Sequence, residues 1–272
     1  QELYRLGDND DCCVNSGLAG DFSLFSYDLY RHLQDNITEF SSLAGFQAAT
    51  MRIGVRRDGD AMGDSFPAQF VSGNYFSTLG VLPAAGRLIV AEDDRPGALP
   101  VVVMSHRVWT DRYARDRGVV GATYYVMGKP MTVVGVAAES FFGETVRPDP
   151  AGFWIPINQE PGLRGGASIL DRPSQHFLYA IGRIAPGATA AQIQTRATGV
   201  LQQWLSSRPT ATADTAPQIA QQRIDVVSAS GGVELMRYAY AQPLNLLFGT
   251  SALVLLITVA NLANLLLARA DR

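Results

Sequence analysis

The chain has 272 residues, of which 47% are hydrophobic and 17% are charged, and its formal net charge is −3. This composition is typical of a globular protein, and the length suffices for one large domain or two small ones. The 22 Lys and Arg residues are scattered along a weakly acidic chain, which argues against nucleic acid as a partner.

Two adjacent cysteines, Cys12 and Cys13, lie near the start of the chain behind the acidic residues Asp8, Asp10 and Asp11. Three interpretations are open: a strained vicinal disulfide, half of a metal site, and a solvated, turn-rich loop. No second cysteine pair completes a zinc site, and the acidic run lacks the later glutamate of an EF-hand loop. The redox state of the two thiols stays open as well.

The first helical pattern begins after Ser23 and Ser26, which suit the cap of a helix, and includes Tyr30 and Leu33. The alternating segment 50–72 then predicts strands joined by a turn at 58–60. A short helical turn follows between Gly73 and Gly80, where we expect the glycines to serve tight turns.

The middle of the chain favours β-structure interrupted by one helix. A buried strand over Val101–Met104 leads into a helix capped by Ser105. The segment 123–137 predicts a hairpin with Gly128 and Lys129 at its turn. Residues 141–173 are rich in Gly and Pro and predict a loop with one short strand.

The next part predicts a strand over 176–184 followed by a helix. The apolar face of that helix consists of Ile193, Ala197, Val200, Leu201 and Trp204. We expect a flexible loop over 207–222 and a last strand over 223–229. Because strands and helices do not alternate in a long βαβ series, this order favours an α+β fold.

The final segment predicts a membrane-spanning helix over 243–268. No charged side chain lies between Arg237 and Arg269, and the segment exceeds the roughly 20 apolar residues that a bilayer requires. A buried helix of a large soluble core is the alternative. Asn261 and Asn264 share one face of this helix, so they are candidates for hydrogen bonds to neighbouring helices or for simple helix packing.

Sequence motifs for catalysis are absent: the chain contains no nucleophile elbow, no zinc-protease motif and no phosphate-binding P-loop. The histidines His32, His106 and His176 lie far apart in the sequence. Each is either a ligand or general base, or an ordinary surface or half-buried residue. The acidic run at Glu92, Asp93 and Asp94 is either a carboxylate pair, a cation site or a solvated loop. We therefore predict no enzyme activity, no cofactor and no metal.

Seven stretches in order, among them 70–89, 92–113, 119–143 and 259–270, resemble the extracytoplasmic core of MacB-type ABC transporter permeases with an FtsX-like permease helix. The variants around Cys12 and around His106 are most similar to a bacterial subgroup of duplicated orphan permeases, which lack an ATPase encoded alongside. Whether this chain is one half of such a permease stays open.

The resemblance implies a two-lobed extracytoplasmic domain. Residues 1–85 and 172–235 would form a membrane-proximal, porter-like lobe of βαβ type, and residues 86–171 would form an inserted lobe. The helix over 243–268 would be the second membrane helix of the permease. The protein would lie in the bacterial inner membrane, with residues before about 240 in the periplasm.

The resemblance also implies a mechanical role in export. A separate cytoplasmic ATP-binding subunit would drive the movement, and the partners would be a periplasmic adaptor protein, other membrane helices of the same permease and a second copy in a dimer. Asp93 and Asp94 mark a possible partner-contact loop over 87–95. An alternative function is a permease-like envelope regulator that controls an enzyme or an assembly without transport, and a membrane-anchored enzyme is a third. The exported substrate stays open.

Overall fold

A computed structural model describes residues 2–7, 18, 20–145, 147–229 and 235–270, but not the side chains of 235–244, 262–268 and 270. The chain divides into two compact units, Gln1–Val233 and Glu234–Arg272. Cys12, Cys13 and the acidic residues before them lie outside the described residues, so all three interpretations of that segment stay open.

The described part of the first unit contains eleven strands, six α-helices and four short 3-10 helices. The strands are β1 (Leu3–Leu6), β2 (Phe40–Gln47), β3 (Met51–Arg57), β4 (Asp64–Val71), β5 (Pro83–Gly86), β6 (Val101–Met104), β7 (Thr123–Val126), β8 (Lys129–Ala137), β9 (Phe153–Pro156), β10 (Leu178–Ile184) and β11 (Val226–Ser228). The helices are α1 (Tyr27–Asn36), α2 (Tyr75–Leu79), α3 (His106–Tyr113), α4 (Glu160–Arg164), α5 (Ala190–Ser206) and α6 (Ala216–Ile219).

One half of this unit is an antiparallel sheet in the order β11-β1-β10-β2. Helices α1 and α5 pack against each other beside it. The predicted apolar face of α5 is confirmed, since each of its five residues is buried: Ile193, Ala197, Val200, Leu201 and Trp204. Burial of this face, rather than intrinsic helix propensity, stabilises a helix of this kind.

The other half is a closed ring of six strands in the order β4-β3-β7-β8-β6-β9. A parallel pairing between β9 and β4, which aligns Phe153 with Ala68 and Ile155 with Phe70, closes the ring. Alternate residues along these strands, such as Ile53 and Val55, are buried in the core, the pattern by which side chains fill a small barrel. Ring closure leaves these six strands without the open edge of a flat sheet.

The two halves of the sheet meet at one residue pair, Phe46 of β2 with Val71 of β4. They are the two lobes of the domain, as expected for an α+β fold of two lobes. The pairing places β3 and β4, from the predicted first lobe, in the ring with β7–β9 of the predicted insert. The boundaries at 85/86 and 171/172 themselves stay a prediction.

Local signals predicted several element ends. Ser26 caps α1 by accepting a hydrogen bond from the Leu29 amide at 3.2 Å, and Ser105 caps α3 in the same way. The prediction that Gly128 and Lys129 form the hairpin turn was wrong by one residue. The turn consists of Met127 and Gly128, which both have positive φ, because a two-residue turn that matches the twist of the strands requires that conformation.

Two further differences concern the C-terminal part. The predicted loop over 207–222 contains the short helix α6. The last helix, α7 (Leu235–Ala270), begins eight residues before Pro243, which therefore does not lie in its first turn.

The prediction of a membrane-spanning helix over 243–268 is not confirmed. Within the described ranges, no helix combines the length and the apolar character that a membrane crossing requires. Positions 243–244 and 262–268, at both ends of the predicted span, have side chains outside the described residues.

Candidate functional site

The acidic loop at 91–94 holds two of its three carboxylates, those of Asp93 and Asp94, inward. Asp93 is 8% exposed, and its two oxygens accept hydrogen bonds from Arg87 at 2.6 and 2.9 Å. The Val90 amide donates a third bond at 3.0 Å. Burial alone would raise the pKa of Asp93, but these hydrogen bonds outweigh it and hold the pKa below its ordinary value.

Asp94 connects three separate segments of the chain. Its Oδ2 accepts from the Gly73 amide at 2.9 Å, and its Oδ1 accepts from the Asn158 amide at 2.8 Å. The side-chain amide of Asn158 also donates to the Asp94 carbonyl and to the Tyr27 hydroxyl. Burial raises the pKa of Asp94, and its hydrogen bonds offset only part of that rise.

The outward-facing part of the same loop is different. Glu92 and Arg95 are exposed and form an i,i+3 ion pair at 3.4 Å, while the Leu99 side chain is 82% exposed. An exposed ion pair of this kind contributes little to stability. The predicted contact residues Asp93 and Asp94 thus bond within the chain, and their neighbours face solvent.

The expectation that the glycines serve tight turns is confirmed at Gly80 but not at Gly73, where glycine has another role. A Cβ on Gly73 would lie 2.7 Å from the Ala91 Cα and 2.8 Å from the Val90 oxygen, so this position requires glycine for close approach. Gly80 ends α2 with φ of +74°, the left-handed conformation that glycine adopts without strain. The loop at 91–94 therefore packs directly onto the start of α2.

A buried polar cluster that the sequence did not reveal lies where the two halves of the sheet meet. Its centre is Glu144, whose side chain is 1% exposed. The Glu144 carboxylate accepts from Gln69 of β4 at 2.9 Å, from Thr145 at 2.9 Å and from the Tyr75 hydroxyl of α2 at 2.5 Å. Arg147 lies 3.8 Å from the same carboxylate and donates to the Ala48 carbonyl, just after β2.

Aromatic rings fill the space beneath this cluster. Tyr75 contacts Phe46 of β2 at 5.9 Å between ring centroids, whereas its neighbour Phe76 contacts Trp154 of β9 at 5.6 Å. Phe141 contacts both Phe76 and Trp154. Burial and the charge of Glu144 raise the pKa of Tyr75 well above its ordinary value, so its hydroxyl remains a donor. Helix α2 therefore contacts both halves of the sheet.

The three histidines do not come together. His32 lies on α1 and His106 at the start of α3, while His176 precedes β10 and lines an apolar cleft of about 560 Å³ with Trp204. Burial lowers the pKa of His176 to about 4. Within the part of the chain that the structure describes, no three His, Cys, Asp or Glu residues group as a metal site would require.

The helix-packing candidates lie on α7. Asn261 is exposed, and the side chain of Asn264 lies outside the described residues. Large apolar side chains at Leu246, Phe248 and Leu256 are each more than 60% exposed.

A family model for the MacB-like periplasmic core domain matches residues 5–200, which include the six-stranded ring and all of the other half except β11 and the start of β1. The chain belongs to this family. MacB-like domains are non-catalytic parts of ABC transporter permeases, which work with ATP-binding subunits. The family model does not distinguish the subgroup of duplicated permeases, so membership of that subgroup stays a prediction.

Solved structures of MacB-like domains share the fold. The periplasmic region of MacB from Actinobacillus actinomycetemcomitans has 11% sequence identity and a TM-score of 0.54, covering 85% of this chain and 90% of that one. The extracellular domain of the noncanonic ABC-type transporter YknZ from Gram-positive bacteria has 10% identity and a TM-score of 0.52, covering 76% and 96%. At this identity the likeness concerns the fold alone. No curated protein sequence matched the chain.

Proposed function

We propose that this chain is part of the permease subunit of an ABC-type exporter, with its two-lobed domain in the periplasm of a bacterial cell. The domain binds partner proteins and carries movement that a cytoplasmic ATP-binding subunit drives. The observation that carries this proposal is the family match across residues 5–200. The chain itself performs no chemistry in this scheme.

The packing of the domain supports a mechanical role. Both the four-stranded half and the six-stranded ring contribute to one continuous apolar core. Close-packed interiors are stiff and transmit displacement rather than absorbing it. A force applied to one lobe is therefore passed to the other.

The outer face of the loop over 87–99 is the proposed contact for a periplasmic adaptor. Glu92, Arg95 and Leu99 are among the exposed residues there. The buried carboxylates of Asp93 and Asp94 hold the loop in place from behind. A loop that exposes both an apolar side chain and opposite charges offers the mixture found where interfaces have an apolar centre and a polar rim.

Helix α7 is proposed to pack against other helices of the same permease. Its exposed apolar side chains need an apolar surface to pack against. Asn261 is one described residue of α7 that can offer a hydrogen bond at such a contact, and amide side chains commonly bond between neighbouring helices.

Affinity capture of the intact protein from its own membranes tests the proposal. Recovery of an ATP-binding subunit, together with a second copy or an adaptor, is the expected result. Recovery of envelope proteins without any ATP-binding subunit would instead favour the regulatory alternative. Identification by mass spectrometry, against an untagged strain as control, separates the two.

A further inference from the structure

We propose that Glu144 is the centre of a clamp that holds the two lobes of the domain in one fixed arrangement. The clamp consists of Glu144, Gln69, Tyr75 and Arg147. We call the place where β2 meets β4 the joint. The contacts there support the clamp, while its use in passing movement between the lobes rests on the proposed function.

The joint needs a clamp because the strands there are barely paired. Phe46 and Val71 form the one residue pair between β2 and β4. By contrast, β2 pairs with β10 along seven positions, from Gln47 to Phe40. The Ser72 amide adds one hydrogen bond to the Gly45 carbonyl at 2.8 Å, and the shared apolar core gives no directional bonds, so side-chain hydrogen bonds are needed to fix the angle between the half-sheets.

Hydrogen bonds from both sides of the joint converge on Glu144. Gln69 belongs to the ring, and its side-chain amide donates to Glu144 at 2.9 Å and to the Gln47 carbonyl of β2 at 2.8 Å. The Gln47 side chain in turn accepts from the Phe70 amide of β4 at 3.3 Å. In both bonds β4 donates and Gln47 of β2 accepts, so that a pivot of the lobes would break them.

Tyr75 and Arg147 complete the clamp. Tyr75 is fully buried on α2, the helix that packs on β2, and donates to Glu144 at 2.5 Å. Arg147 is mostly buried and reaches the Ala48 carbonyl at 2.5 Å while lying 3.8 Å from Glu144. A buried carboxylate is stable only where nearby charge and hydrogen-bond donors compensate for the lost water. Around Glu144 these groups are Gln69, Thr145, Tyr75 and Arg147.

The interior position of this charge makes the clamp rigid. Hydrogen bonds to an ionised group are about twice as strong as neutral ones, and low polarity around them strengthens them further. Loss of the charge leaves the apolar packing of Phe46, Tyr75 and Phe76 in place but removes the directional bonds. The joint would then remain closed on average and open more often.

Native-state hydrogen exchange of the intact protein tests the clamp with the variant Glu144→Gln. In this variant the new amide faces the donors of Gln69 and Tyr75. We expect roughly tenfold faster exchange at residues 45–48 and 69–76, with the β1–β10 and β7–β8 ladders unchanged. Tyr75→Phe removes one donor at almost constant volume and should accelerate exchange at the same residues by a smaller factor.

Glu160→Gln is the matched control. Glu160 is equally buried and accepts from Ser168 at 2.5 Å and from the Ile169 amide at 3.0 Å, away from the joint. This variant should accelerate exchange around 160–170 and leave the joint unchanged. Unchanged exchange at the joint in both Glu144→Gln and Tyr75→Phe would overturn the proposal. So would a uniform increase across all ladders, because it would indicate general destabilisation.

The clamp and the proposed function are tested by different measurements, so one can be contradicted without the other. Local exchange at the joint requires no partner protein, whereas capture of an ATP-binding subunit requires no clamp. A joint that opens in Glu144→Gln without any captured ATP-binding subunit supports the clamp and contradicts the transport role.

Discussion

Asp94 illustrates how a conspicuous acidic residue serves the fold. Its carboxylate satisfies the buried amides of Gly73 and Asn158, so replacement by alanine leaves two donors without partners. We expect Asp94→Ala to lower the free energy of unfolding by about 2 kcal/mol. Glu92→Ala, at an exposed neighbour, should change it by less than about 0.5 kcal/mol. Urea denaturation at pH 7 measures both, and equal effects would contradict the structural role.

His176 gives the domain a defined dependence on pH. Burial lowers its pKa to about 4, whereas a histidine in the unfolded chain titrates near 6.5. Between those values the unfolded chain binds a proton that the folded protein does not, so stability falls as the pH drops through this window. The pKa shift of His176 corresponds to a decrease in the free energy of unfolding on the order of 3 kcal/mol across this window.

Comparison of two variants isolates that contribution. In His176→Phe the ring contact with Phe22 is kept and the titration is removed, so the loss of stability from pH 6.5 to 4 should shrink by that amount. His106→Gln is the control, at the half-buried first residue of α3. A wild-type pH profile in His176→Phe would refute the assignment.

At the residue scale, the sequence predicted hydrogen bonds between residues close together in the chain and missed those between residues far apart. Ser26 and Ser105 could be identified as caps because each bonds an amide three residues away. Glu144 could not be identified, because its partner Gln69 is 75 positions away in sequence. Nothing in a local pattern distinguishes its carboxylate from one in a solvated loop.

At the scale of elements, the β7–β8 hairpin contains a correctable strain. Met127 has φ of +48° in the two-residue turn, a conformation that is costly for most side chains but easier for asparagine. We expect Met127→Asn to raise the free energy of unfolding by about 0.5 kcal/mol, since an Asn-Gly pair suits this turn. Gly128→Ala should lower it by about 1 kcal/mol. Thermal denaturation measures both, and a destabilised Met127→Asn would show that Met127 contributes packing instead.

Element types were more predictable than element ends. The apolar face of α5 repeats with helical period and is buried as expected, because the period follows from one side facing a core. The start of α7 was missed, since the predicted helix began at residue 243 and α7 begins at Leu235. The turn between β7 and β8 was displaced by one residue because glycine alone does not reveal which neighbour shares its positive φ.

At the scale of the whole molecule, the closed ring of strands was not predictable. Its closure depends on the parallel pairing of β4 with β9, whose residues lie 85 positions apart, as at Ala68 and Phe153. The family resemblance instead implied a division of the chain at 85/86. The resemblance to a family supplied the two-lobed architecture that local patterns could not.

The proposed adaptor contact belongs to this scale too. Glu92→Lys and Arg95→Glu each reverse an exposed charge and should reduce adaptor capture severalfold without altering stability. The double variant restores an ion pair in the opposite sense and serves as the control for folding. If capture survives both single reversals, the contact lies elsewhere on the domain.

The central claim is that ATP-driven movement reaches the two-lobed domain. Hydrogen exchange of the intact, captured complex, with and without a non-hydrolysable ATP analogue, tests this most directly. We expect the analogue to change protection at surfaces of the domain, including 87–99, while both sheet ladders stay protected. Identical exchange throughout the domain in the two states would contradict a role in transmitting movement.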